Sequence, residues 1–156
     1  MKRLLAISIN LLLYMMLVFS LNGQREIGHP AFMSPHFSPI VISEDKVFVA
    51  NTPCDTIDVL DAKSGRLLRR IPVGLDPVSL AIRPDGRELW VANHVSDSVS
   101  VIDLDQSKRT FMHVVATVQD IDPETKATRF DEPMGIAFAS NGKAYVALSS
   151  ENKIAV

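Results

Sequence analysis

A chain of 156 residues with 47% hydrophobic and 22% charged side chains has the length and make-up of one globular unit, not of a disordered segment. Its 16 basic and 18 acidic residues are interspersed and leave a net charge of −2, which excludes a basic face for nucleic acid and a polybasic patch for anionic lipid. The single cysteine, Cys54, can form no internal disulfide, so the fold cannot rest on cross-links; in its short loop it reads as incidental.

The chain opens on a basic head, Met1, Lys2 and Arg3, followed by an apolar run from Leu4 to Leu21. A short basic head before such a run is the pattern of a secretory signal peptide, here residues 1–23 with small residues Ser20 and Gly23 near its end. The alternative is an uncleaved N-terminal anchor, since the run is close to the shortest stretch that spans a bilayer. Both readings export the remainder to the periplasm, the exterior or the cell surface, and only the second makes the membrane a partner. Residues 24–37 form a proline-rich lead-in around "GHPAFMSPHFSP"; its His29 and His36, like the later His113, show no ligand spacing.

From there the chain repeats itself, and repeats decide the architecture. A shift of 42 residues lays Phe48 on Trp90, Val49-Ala50-Asn51 on Val91-Ala92-Asn93, Asp55 on Asp97, Val59 on Val101 and Asp61 on Asp103. A shift of 55 lays Trp90-Val91-Ala92 on Tyr145-Val146-Ala147, and Val99-Ser100-Val101 on Ile154-Ala155-Val156. Within the units, apolar β-branched runs alternate with turn residues. "VSLAIRP" leads through Asp85-Gly86 to "ELWVAN" and then "SVSVIDL", while "LLRRIPV" adds a fourth strand to the first unit. Asp-Gly and Asn-Gly, at Asp85-Gly86 and Asn141-Gly142, favour tight hairpins. Four short antiparallel strands every forty or so residues predict an all-β protein of β-propeller blades. Consecutive apolar residues such as Trp90-Val91-Ala92 fit sheets covered on both faces, as a blade between two neighbours is, better than a one-faced barrel or sandwich.

The stretches "VFVAN", "DTIDVLD", "IPVGLDPVSLAIRPDGRELWVAN", "DSVSVIDLD" and "DEPMGIAFASNGKAYVAL" resemble the YVTN-type β-propeller repeat of exported bacterial proteins. That resemblance covers about Val47 to Val156 and implies blades over about 38–73, 77–119 and, incomplete, 133–156, or two and a half blades. It leaves function open: propellers of this type include surface proteins, lactonase-like enzymes and haem-linked oxidoreductase domains. Propellers close with four to eight blades, and an open one leaves apolar faces in water. The expectation is therefore an N-terminal part of a longer protein whose remaining blades are its partners, with a ring of several short chains as the alternative.

In a propeller the loops after the second strand and the connections between blades share one rim, the usual binding face. The candidate rim residues are Asn51, Asp55, Asn93, His94, Asp97, Arg129 and Asp131. A His94–Asp97 pair could act as ligands or as a general base. Recurrence of Asn and Asp at 51 and 55 without a histidine favours a structural task instead, holding turn backbone. The long connection from Asp120 to Pro133 breaks the repeat, and long loops in compact domains are often functional. Its Asp120, Asp122 and Glu124 are weak candidates for a hard cation, lacking the glycine and terminal glutamate of a calcium loop. No Cys-x-x-Cys-His, G-x-S-x-G, P-loop or zinc-protease motif is present, so no catalytic residue and no cofactor is assigned. The leading expectation is a binding scaffold offering its rim to a protein or glycan; the alternative is part of a lactonase-like or haem-linked propeller enzyme.

Overall fold

The computed structural model describes residues 34–156; the signal-peptide segment and most of the lead-in lie outside the described residues. Three antiparallel sheets follow one another along the chain, each a simple meander. The first is β1 (Ile40–Ser43), β2 (Lys46–Asn51), β3 (Thr56–Asp61) and β4 (Leu67–Pro72). The second is β5 (Pro77–Ile82), β6 (Glu88–Asn93), β7 (Ser98–Asp103) and β8 (Val114–Val118). The third has three strands, β9 (Pro133–Phe138), β10 (Ala144–Leu148) and β11 (Lys153–Ala155). This is the all-β blade architecture that the repeat predicts.

The hairpin turns follow their sequence. Gly86 and Gly142 take positive φ (73° and 84°), where glycine alone is unstrained. Their N–H groups close on the carbonyls of Arg83 and Ala139. The preceding Asp85 and Asn141 accept the N–H groups of Arg87 and Lys143. At the C-terminal ends of β3 and β7, Asp61 accepts the backbone N–H and the hydroxyl of Ser64, and Asp103 accepts the N–H of Asp105 and the hydroxyl of Thr110. These hydrogen bonds hold both carboxyls below the usual carboxylate value.

Side chains alternate across each strand, so the central sheet has two apolar faces and buries both. Leu80, Leu89, Val91 and Ile102 face the first sheet, meeting Phe48, Ile57, Val59 and Ile71. Val78, Ala92 and Val99 face the third sheet, meeting Phe130, Ile136, Val146 and Leu148. Trp90 joins the second face, its ring edge-on to Phe138 at 5.3 Å and its indole N–H donated to Glu88. Every residue of β7 is buried. Burying one such aliphatic side chain contributes about 2 kcal/mol, so the sheet-to-sheet junctions are the main source of stability. The sequence reading names a fourth strand only in the first unit; the second unit has one too, β8, whose five residues are all exposed. The bulge between the third and fourth strands recurs at repeat-equivalent places, Val59/Leu60 and Val101/Ile102.

Candidate functional site

Meandering sheets place the β2–β3, β6–β7 and β10–β11 turns on one rim, together with the connections 73–76 and 119–132 that lead into β5 and β9. The first turn is a single 3-10 turn, Thr52–Cys54, capped by Asp55 in the left-handed region (φ 53°). Asp97 ends the second turn in the same conformation (φ 48°). Asp55 Oδ1 accepts the N–H of Asp76 at 2.9 Å, and Asp97 Oδ1 accepts the N–H of Glu132 at 3.0 Å. Asp76 and Glu132 are themselves left-handed (φ 58° and 48°), and their carbonyls accept the N–H groups of His94 and Ser149. Each junction is thus fastened twice: the turn of one blade holds the connection, and the connection holds the turn of the next. Recurrence of Asp55 and Asp97 does reflect a structural task, but the backbone they hold belongs to the neighbouring blade's entry rather than to their own turn.

Asn51 and Asn93 end β2 and β6 and reach across to the next strand. Asn51 donates to Asp58, and Asn93 donates to Ser98 and Ser100. Gly74 lies so close to this second pair that a Cβ there would stand 2.4 Å from Ser96 Oγ and 2.7 Å from Asn93 Cγ. Ser96 Oγ also accepts the N–H of Leu75. At the axial end, Thr52 donates its hydroxyl to the Pro77 carbonyl and lies 2.7 Å from His36 Nε2. Because the hydroxyl proton is committed to Pro77, the imidazole nitrogen is the donor in that contact.

Among the described residues no hydrogen bond joins His94 to Asp97. Asp97 faces the second junction, where burial first, and then the neighbouring carboxylates of Asp131 and Glu132, push its carboxyl above the ordinary value against the pull of the Glu132 N–H. Among the described residues, His94 Nδ1 is buried without a hydrogen-bond partner, as are both carboxyl oxygens of Asp76, Asn93 Oδ1 and Ser79 Oγ. Asp76, Ser79 and Asn93 are fully shielded from solvent. Leu75 and Val95, next in the chain to Asp76 and His94, are exposed.

The long connection folds back on itself through an Ile121–Thr128 bridge. Asp122 Oδ1 accepts the N–H groups of Glu124 and Thr125, and Oδ2 takes Arg129 at 2.6 Å. Those bonds lower its carboxyl to about 2. Asp120 receives the Arg129 N–H on its carbonyl. Among the described residues no three His, Cys, Asp or Glu side chains are grouped to hold a metal ion. Asp76 and Glu132 are the rim residues that sequence reasoning missed. A signal was present: each is an acidic residue directly before a proline that starts an innermost strand.

No family model matches the chain. Over 84 residues, 53% of the chain, it is 36% identical to protein NirF of Pseudomonas aeruginosa, of which this covers 21%. Among solved structures it is similar to hydrazine synthase of Kuenenia stuttgartiensis, with TM-score 0.57 and 29% identity over 80% of this chain and 32% of that one. It is also similar to a putative 6-phosphogluconolactonase of Bacteroides uniformis, with TM-score 0.53 and 25% identity over 80% and 40%. The dihydro-heme d1 dehydrogenase NirN, solved in complex with DHE, shares the fold at TM-score 0.52 and 21% identity over 80% and 24%. These neighbours are β-propeller proteins, and the chain spans about a fifth of NirF and a third of the hydrazine synthase chain.

Proposed function

We propose that this chain is an exported propeller module of the YVTN type that binds a protein or glycan partner on its rim. The observation that supports it is unspent polar capacity in one place: Asp76, Asn93 and His94 carry buried atoms with no partner among the described residues. Buried polar atoms are ordinarily paired, so each of these calls for a partner. Next to them in the chain, Leu75 and Val95 are exposed and give the rim apolar contact area beside its polar groups. Export rests on the basic head and apolar run at residues 1–21.

A second reading is favoured by one observation, the 36% identity with NirF, together with the fold shared with the dihydro-heme d1 dehydrogenase NirN, solved in complex with DHE. In that reading the rim belongs to a propeller that handles a tetrapyrrole. Glycan-array binding and haemin titration of the purified chain separate the two. The first reading expects saturable glycan signals, lost in Leu75→Asp and Val95→Asp while the fold is kept, and no change in the haemin absorption band. A saturable shift of that band, abolished in His94→Ala, would replace it with the second.

A further inference from the structure

We propose that the outer edge of β8 pairs antiparallel with β8 of a second copy of this chain, joining the two second sheets across a twofold axis. β8 is the outermost strand of its sheet and pairs, among the described residues, with β7 alone. It lies inside the chain, between the first and third sheets, so its free edge follows from the order of strands within one blade and from neither end of the sequence.

In an antiparallel ladder the backbone groups alternate, so every second residue of an outermost strand turns its N–H and C=O away from the sheet. Such edges are ordinarily guarded by charged side chains or by proline. The outermost strand of the first sheet, β4, is guarded both ways: it carries Arg69 and Arg70 and ends on Pro72. β8 reads Val-Val-Ala-Thr-Val, with no charge and no proline, and all five of its residues are exposed. One blade closes its edge to pairing and the next leaves it open.

The charge at the two ends of β8 identifies the occupant. Before the strand, Lys108 is paired with Asp103 and Asp105, while the exposed Arg109 makes no ion pair among the described residues. After it, Asp122 is committed to Arg129, and Lys126 to the Pro123 carbonyl. That leaves the exposed carboxylates of Asp120 and Glu124 without an ion pair among the described residues. The strand therefore carries spare positive charge at its start and spare negative charge at its end. An antiparallel copy sets each end against its opposite, twice over, which is the self-complementary patch a twofold contact demands. A parallel copy would set like charges together. Backbone pairing supplies the attachment, as in other added strands, and the charges fix its direction. This edge lies on the perimeter, apart from the rim, so the pairing and the rim reading can fail separately.

Sedimentation velocity of the purified chain is expected to show a mass that rises with concentration to twice the chain mass. Thr117→Lys, which guards the exposed edge without entering the core, should return it to the single mass. Arg109→Glu reverses a charge at both ends of the contact and should weaken association about tenfold. The double variant Arg109→Glu/Glu124→Arg should restore it, since the exchanged charges again face each other. Far-ultraviolet circular dichroism should be unchanged in all three. A monomeric mass at the highest soluble concentration would overturn the proposal and leave the edge to an extended segment of another protein. A doubled mass that survives Thr117→Lys would overturn it too, since the copies would then meet elsewhere, as would a charge exchange that restores nothing.

Discussion

The two blade junctions share a plan and differ in how tightly it is executed. Both use a left-handed aspartate to hold a left-handed acidic residue ahead of a proline. The first joins its sheets by residues 73–76 alone and centres on the fully buried Phe48 and Ile57. The second runs through residues 119–132, places the half-buried Trp90 where the first has Phe48, and brings Asp97, Asp131 and Glu132 together. A repeat thus conserves the joint's hydrogen-bond geometry while leaving its packing and charge free to vary, and the looser joint is the one beside the long connection.

The largest test of that contrast is truncation at the equivalent aromatic positions. Phe48→Ala should cost about 4 kcal/mol and Trp90→Ala about 3, the smaller figure because Trp90 keeps part of its surface in water. Urea denaturation of both variants measures the order, and a larger loss at Trp90 would reverse the ranking of the joints. Next in size is a pair of glycines. Gly74→Ala forces a Cβ against Ser96 and Asn93 and should cost about 2 kcal/mol. Gly135→Ala places its Cβ 3.5 Å from the Phe37 ring, an ordinary contact, and should change stability by less than about 0.5 kcal/mol.

The smallest effect separates the fastening aspartates by charge. Asp97 holds its proton more firmly folded than unfolded, so the stability due to that proton is complete below the ordinary value of 3.8 and is lost as pH rises through the raised folded value. Asparagine keeps the oxygen that accepts the Glu132 N–H and removes the charge. Asp97→Asn should accordingly raise stability at pH 7 by about 0.5 kcal/mol and do little at pH 3. Asp55→Asn, which likewise keeps an oxygen for the Asp76 N–H, should change stability by less than about 0.5 kcal/mol. Thermal melts at the two pH values read both; equal responses would show that the joints do not differ in charge.

The blades were legible because a repeat displays its core three times: Phe48, Trp90 and Tyr145 mark one position, and the Asp-Gly and Asn-Gly turns mark the hairpins between strands. β8, the apolar run Val114-Val115-Ala116-Thr117-Val118, went unread because the longer connection before it moves it out of the 42-residue register: Ala116 pairs with Val101 where Arg69 pairs with Val59. At the rim, Asn51, Asp55, Asn93 and Asp97 could be read as turn-holding residues from their recurrence. Their partners could not be read with them. Asp55 reaches 21 residues along the chain and Asp97 reaches 35, distances set by how sheets stack and not by local spacing. The buried carboxyl of Asp76, without a partner among the described residues, is likewise a product of packing, visible only once the junction is built.

The double fastening at each junction also sets the direction in which order travels. Asp55 gains the Asp76 N–H only when the second blade's entry is in place, and the Asp76 carbonyl gains the His94 N–H only with the turn after β6. Each blade is finished by its successor, so the chain gains structure as a row of coupled neighbours rather than as independent sheets. Release of the third blade would take the Glu132 N–H from Asp97 and leave the hydrogen bond of Asp55 to the Asp76 N–H in place.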